Sequence, residues 1–247
     1  MKKLSLLLVL LMSSLLVLAD DKQSKDKASN DNNQTTAENR EEAMERLQEA
    51  GATLSQLMGA PDQAIPETVL KDAKCVAVVP SMVKGGFVFG ARHGRGVATC
   101  RTESGWSAPA FFTVTGGNWG AQIGVEAVDL VMLIMNEEGM KNLLSSNWTM
   151  SGDASVAAGP VRRQAQAETD YKMKAQVLTY SRARGLYAGA TLNGAKIRPD
   201  KDSTKAFYGK EDVPFNRILM GEVRAPQGAN PFLASVRQTF REASARR

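Results

Sequence analysis

Residues 75–101 read C-V-A-V-V-P-S-M-V-K-G-G-F-V-F-G-A-R-H-G-R-G-V-A-T-C-R, and residues 106–115 read W-S-A-P-A-F-F-T-V-T. β-Branched and aromatic residues come in short runs, each cut by glycines or a proline. That punctuation predicts strands joined by tight turns, the pattern of an antiparallel meander. Strands are expected at 75–80, 86–92, 95–102 and 109–115, with further ones at 122–126 and 148–158. The stretch holds no acid–base pair, nucleotide loop or metal-spaced cluster, so it reads as a binding scaffold more than as an enzyme.

The flanks of this stretch differ in character. The chain opens M-K-K, followed by the apolar run Leu4 to Leu18 and V-L-A before Asp20. A positive start, an apolar run of 15 residues and a small-residue site predict a secretory signal at 1–19, cleaved after Ala19. As a helix that run rises only about 22 Å, short of the roughly 30 Å hydrocarbon core that a membrane anchor must cross. No cysteine stands near the cleavage site, so the expected product is not a lipoprotein but an exported protein, periplasmic or associated with the cell envelope. Residues 20–37 are polar and low in apolar side chains, the composition of a disordered tether.

From Glu38 the pattern becomes helical. Met44, Leu47, Ala50, Leu54, Leu57 and Met58 recur at helix spacing until Gly59 and Pro61 end the run, and Pro66 opens a shorter helix. The segment 38–73 is thus an acidic helical arm whose apolar face is expected to pack on the domain. The other reading, an amphipathic membrane helix, is opposed by Glu38, Glu41, Glu42, Glu45 and Glu49, which anionic lipid would repel. Charge divides the same way. Residues 20–73 hold six Lys/Arg against twelve Asp/Glu, a net of −6, while residues 74–247 hold 23 against 14, a net of +9. The second part is long enough for one domain with a core of its own.

Beyond the first strands, Val131–Met135 suits a buried strand and Glu137–Leu144 a helix. Gln176–Ser181 and Gly185–Leu192 read as a hairpin, Asn193-Gly194 as a turn, and Asn230-Pro231 as the start of a C-terminal helix lined by Phe232, Val236 and Phe240. Trp106, Phe87, Phe89, Phe111 and Phe112 are expected to build or border the core. The fold class that follows is α+β: a curved antiparallel sheet or partial barrel at 74–247, with helices packed at both chain ends.

Gly85-Gly86, Gly90, Gly94, Gly96, Gly116-Gly117, Gly120 and Gly124 fit neither a phosphate loop nor a dinucleotide fingerprint, and turns and sheet curvature account for them. His93 is the single histidine and sits in R-H-G-R-G, where a turn is expected; one histidine cannot build a zinc site with two distant cysteines. Asp129, Asp153, Glu168 and Asp170 show no spacing that marks a catalytic pair. No enzyme, metal or cofactor is therefore expected. Cys75 and Cys100 form the only possible intramolecular pair, and in an oxidising compartment a structural disulfide is favoured over two buried thiols.

The basic residues remain. Arg162, Arg163, Lys172, Lys174, Arg182, Arg184, Lys196 and Arg198 crowd one stretch against Glu168 and Asp170, and Lys84, Arg92, Arg95 and Arg101 come from the first strands. A Lys or Arg near an anionic membrane contributes about 1 kcal/mol, so several on one face would hold the protein peripherally. Nucleic acid is a poorer partner, because the cations are not interleaved with aromatic residues and the protein is expected to be exported.

Six segments also resemble one family in order: K-G-G-F-V-F-G, G-R-G-V-A-T-C-R, W-S-A-P-A-F-F, G-x-Q-I-G-V-E from Gly120 to Glu126, D-A-S-V-A-A-G-P-V from Asp153 to Val161, and Y-S-R-A-R-G-L-Y-A-G from Tyr180 to Gly189. Together they are similar to the SYLF domain family over about residues 45–240. The resemblance implies a phospholipid-binding module. Eukaryotic members resemble phosphoinositide binders and actin regulators, and bacterial members are mostly exported single-domain proteins, which this chain looks like. In the eukaryotic relatives the membrane-contacting element is similar to a basic N-terminal helix, whereas the helix from Glu38 is acidic here.

The expectation is therefore non-enzymatic, peripheral binding of anionic phospholipid at a bacterial cell envelope. Arg162, Arg163, Lys172, Lys174, Arg182 and Arg184 are the expected ligands, helped by Lys84, Arg92 and Arg95. The alternative is a structural or protein-interaction module that uses the acidic arm and the basic face to meet an envelope protein partner.

Overall fold

The computed structural model describes residues 36–59, 65–86, 89–119, 124–145, 147–150, 156–160, 175–183, 186–189, 192 and 194–245. Helix α1 covers residues 36–59 and α2 covers Glu67–Asp72. Strands β1 (Cys75–Gly86), β2 (Phe89–Thr102), β3 (Gly105–Trp106), β4 (Ala110–Trp119) and β5 (Gly124–Ile134) follow. Next come α3 (Glu137–Leu144), β6 (Trp148–Thr149), β7 (Val156–Ala158), β8 (Val177–Ala183), β9 (Leu186–Gly189) and β10 (Lys196–Pro199). The chain closes with α4 (Lys201–Tyr208), α5 (Phe215–Leu219), a 3-10 turn (Gln227–Ala229) and α6 (Asn230–Ala245).

The strands form one curled sheet in the order β6-β10-β4-β2-β1-β5-β8-β7, with β3 beside β2 and β9 beside β8. The expected α+β half-barrel is present. Its path is not a simple meander. β5 crosses over to pair with β1, and β10 takes the outer edge of β4. β7 also runs parallel to β8, so the sheet is mixed.

β1 is central and apolar on both faces. Val76 and Val78 join the core under the terminal helices, together with Val97, Phe111, Val131, Leu133, Leu178 and Tyr180. Cys75, Ala77 and Val79 face the second core, with Phe112, Val114, Leu130, Met132, Trp148, Ile197 and the apolar side of α5. Alternation along each strand thus feeds two cores from one sheet. Phe111 and Phe112 are fully buried, and Trp106 packs at 4.6 Å between centroids, tilted by 54°, on Phe240 of α6. Phe87 lies outside the described residues.

α1 buries Ala43, Leu47, Ala50, Leu54 and Leu57 completely. Gly51 lets it close on α6: a Cβ there would stand 3.0 Å from Ser235 Oγ and 3.1 Å from the Pro231 carbonyl. Each buried leucine contributes about 2 kcal/mol, so α1 is part of the fold and not a detachable cover. α2 is pinned by Arg101, whose Nε donates to the Ala73 carbonyl at 2.9 Å and whose Nη2 donates to Leu70 at 3.3 Å. The same guanidinium lies over Trp106 and Phe240.

One expectation is overturned inside the opening stretch. The R-H-G-R-G segment is not a turn, and the two strands expected at 86–92 and 95–102 are one strand, β2. His93 pairs with Val83 and Thr115 in mid-sheet. The glycines here serve curvature. A Cβ on Gly96 would lie 2.5 Å from Phe112 Cζ and 2.8 Å from the Val78 carbonyl, so only glycine allows the sheet to close there. Val131–Met135 is likewise no separate strand, since β5 runs unbroken to Ile134. The strand expected at 148–158 is represented by β6 and β7, with 151–155 outside the described residues.

Candidate functional site

Cys75 and Cys100 are direct cross-strand partners on β1 and β2 and form a disulfide buried in the second core. It ties together the two strands that carry Lys84, Arg92 and Arg95. Among the described residues no cluster of three or more His, Cys, Asp or Glu side chains is placed to hold a metal ion.

Lys84 and Arg92 are cross-strand partners, and Lys84 pairs on its other side with Glu126 of β5. Directly opposed residues of antiparallel strands share a face, so Glu126, Lys84 and Arg92 form a row near the Gly86 end of β1. Burial pulls the Lys84 ammonium below the usual lysine range; Glu126 opposes this and the positive charge of Arg92 adds to it. Burial likewise lowers Arg92. Two cations are thus held together, partly stripped of water, beside one carboxylate.

Arg95 lies three residues further along β2, on the opposite face, where α1 passes. Its Nε donates to Asp200 Oδ2 at 3.2 Å, its Nη2 to Ser203 Oγ at 2.9 Å and its Nη1 to Glu42. Arg46 of α1 donates to the same Asp200 oxygen at 3.1 Å while lying over the Phe111 ring. Asp200 caps α4 by accepting from the Ser203 amide at 3.1 Å. Its side chain is only 7% exposed and that of Arg46 only 6%. Burial alone would raise the Asp200 pKa, but the Ser203 hydrogen bonds and the charges of Arg46 and Arg95 outweigh it and hold the carboxyl below the usual range. The D-K-D-S sequence at 200–203 carries the helix-start signature. Nothing local could have revealed Arg46, which is 154 residues away.

Arg182 of β8 is also engaged on the α1 side. Its Nη2 donates to Asp129 Oδ2 at 2.6 Å, its Nε to the same oxygen at 2.9 Å and its Nη1 to Gln56 of α1. Asp129 Oδ1 accepts from the Ser81 amide at 3.0 Å, holding the bulge of β1 where Ser81 adopts a φ of 51°. The expected cations therefore do not gather on one face. Lys84 and Arg92 share one side of the sheet, and Arg95 and Arg182 lie on the other, each paired with a carboxylate. Arg162, Arg163, Lys172, Lys174 and Arg184 lie outside the described residues.

Residues 115–239 match the family model Ysc84, described as Las17-binding protein actin regulator. The chain belongs to the Ysc84 family. This is the SYLF-domain family that the six motifs resemble. The chain is 36% identical over 171 residues to SH3 domain-containing YSC84-like protein 1 of Xenopus laevis, covering 68% of this chain and 51% of that protein. It is 36% identical over 183 residues to Protein YSC84 of Saccharomyces cerevisiae, covering 72% of this chain and 38% of that protein. LAS seventeen-binding protein 3 of the same yeast is 35% identical over 181 residues, with 72% and 39% covered. The chain thus spans about half or less of the length of these Ysc84-family relatives, two of which carry in their names the proteins or domains they bind or contain.

Proposed function

We propose that this Ysc84-family chain is an exported, non-enzymatic protein that binds anionic phospholipid peripherally at a bacterial cell envelope. The observation that carries the reading is the Lys84–Arg92 pair: two cations held side by side at one end of the sheet. An anionic headgroup placed between them would relieve their repulsion and repay part of their lost hydration. The M-K-K leader and its apolar run support export. A headgroup contacting both side chains gains about 2 kcal/mol from the two charges.

Vesicle co-sedimentation of residues 20–247 tests this, with neutral lipid alone or neutral lipid plus phosphatidylglycerol, at low and high salt. Binding should require the anionic lipid and fade with salt. Lys84→Ala together with Arg92→Ala should weaken it by about 30-fold, the equivalent of about 2 kcal/mol. Binding that is absent, or indifferent to both substitutions, refutes the reading.

A second reading is protein capture, favoured by the carboxylate face of α1. Glu38, Glu41 and Glu45 remain exposed after Glu42 and Gln56 have engaged the sheet, and family relatives are named as binding proteins. Reversing those three charges should abolish partner capture while leaving vesicle binding unchanged.

A further inference from the structure

The α1 side of the sheet carries other cations on β10, two strands from Arg95, while Arg46 of α1 reaches Asp200 just beyond the end of β10. Register aligns Arg198 of β10 with Thr113 of β4 and Arg95 of β2. Two residues along, it aligns Lys196 with Thr115 and His93, and on the outer side with Thr149 of β6. Arg95 reaches α1, so both rows, two residues apart, point to that side. With strands about 4.8 Å apart and a rise of about 3.4 Å per residue, the four basic residues mark a rectangle of about 10 by 7 Å, with two threonines along its midline.

Its two halves differ. On the β2 side Arg95 is committed to Glu42 and Asp200, and a groove of about 310 Å³ sets His93 against Glu42, Glu45 and Glu49 of α1. On the β10 side Lys196 and Arg198 are exposed, and among the described residues neither side chain has an ion-pair partner. Thr113 and Thr115 are half-buried beside them. The Thr113 hydroxyl makes only a long bond, 3.4 Å, to the Arg198 carbonyl. This half brings a guanidinium, an ammonium and two hydroxyls onto one face of two neighbouring strands, the kinds of donor that a tetrahedral oxyanion accepts.

We propose that Lys196, Arg198, Thr113 and Thr115 form a binding site for a phosphate-class oxyanion, carried either on a phosphomonoester lipid headgroup or on a small soluble phosphate. The site lies on the face opposite Lys84 and Arg92 and is independent of them. One planar membrane cannot meet both faces of the sheet, so each site has its own ligand or its own orientation on the surface.

The test is a titration of residues 20–247 with pyrophosphate, followed by amide chemical shifts, beside sedimentation with vesicles of neutral lipid plus phosphatidic acid. Saturable shifts at Thr113, Thr115, Lys196 and Arg198 are expected, with at least tenfold weaker binding at these amides in Lys196→Ala/Arg198→Ala and no change in Lys141→Ala, an exposed lysine of α3. Pyrophosphate binding with that dependence assigns a soluble phosphate. Dependence on Lys196 and Arg198 seen only with the vesicles assigns a lipid headgroup. If neither probe depends on Lys196 and Arg198, or if the four amides lose their shifts equally in Lys141→Ala, the site is refuted. Loss of phosphatidylglycerol binding in the Lys84/Arg92 variant reads out the other face separately.

Discussion

Replacing Asp200 with asparagine should destabilise the protein by about 3 kcal/mol, through charge alone. Asparagine keeps the shape and can still cap α4, but it removes the anion on which Arg46 and Arg95 converge. Breaking a buried ion pair by deleting one partner costs roughly 3–5 kcal/mol, because the other charge is left without compensation in a poorly solvated site. The lower end applies here. The Arg95 side chain is 35% exposed and keeps Glu42, so water and that carboxylate cover part of its loss. Arg46, at 6% exposure, carries most of the penalty. Urea unfolding followed by far-UV circular dichroism would give the change. Asp200→Ala should cost about 1 kcal/mol more, through the lost cap. In an Arg46→Met background, Asp200→Asn should cost clearly less. The pH dependence follows from the same geometry. Asp200 titrates lower when folded than its unfolded value of about 3.9, so its contribution is complete above that value and disappears as pH falls through the folded pKa. The asparagine variant should therefore lose part of the wild-type decline in stability between about pH 4 and the folded pKa. A cost below about 1 kcal/mol, or an Asp200→Asn effect unchanged by Arg46→Met, would refute the reasoning.

Gly96→Ala should destabilise by about 1–3 kcal/mol, because its Cβ would meet the Phe112 ring and the Val78 carbonyl inside the curl; Gly59→Ala, where nothing lies within 4 Å, is the matched control, and equal thermal shifts would contradict the packing. Reducing the Cys75–Cys100 disulfide, which closes a separation of 25 residues, should lower stability by about 3.5 kcal/mol, read as the difference between oxidised and reduced unfolding curves; coincident curves would show that the bridge constrains nothing. The Tyr180 hydroxyl is buried without a hydrogen-bond partner among the described residues, and burial pushes its pKa up. Tyr180→Phe should then leave stability unchanged or raise it by up to about 1 kcal/mol, and a clear loss in urea melts would mean that the hydroxyl has a partner.

Local order was legible along the chain. The C-V-A-V-V run appears as the central strand, buried on both sides, and E-E-G-M-K-N-L-L is the helix α3, capped by the Asn136 side chain on the Gly139 amide. Less legible was the meaning of glycine. In R-H-G-R-G a glycine that ends a strand and a glycine that lets a strand bend look alike, since both simply lack a side chain. Only the approach of Phe112 to Gly96 distinguishes them.

The cations show the same division. Composition and spacing determined that the domain is basic, that its first strands carry Lys84, Arg92 and Arg95, and that Cys75 and Cys100 could meet, because charge count, side-chain period and turn chemistry are properties of neighbouring residues. Tertiary structure decided which charges are already spent. Arg95 meets an aspartate 105 residues away and Arg182 one 53 residues away, while Lys196 and Arg198 are left facing solvent. Those outcomes depend on strand order and register, which place β10 beside β4 and α1 across β2. An electrostatic partner is chosen by distance in space, and no local pattern carries that distance.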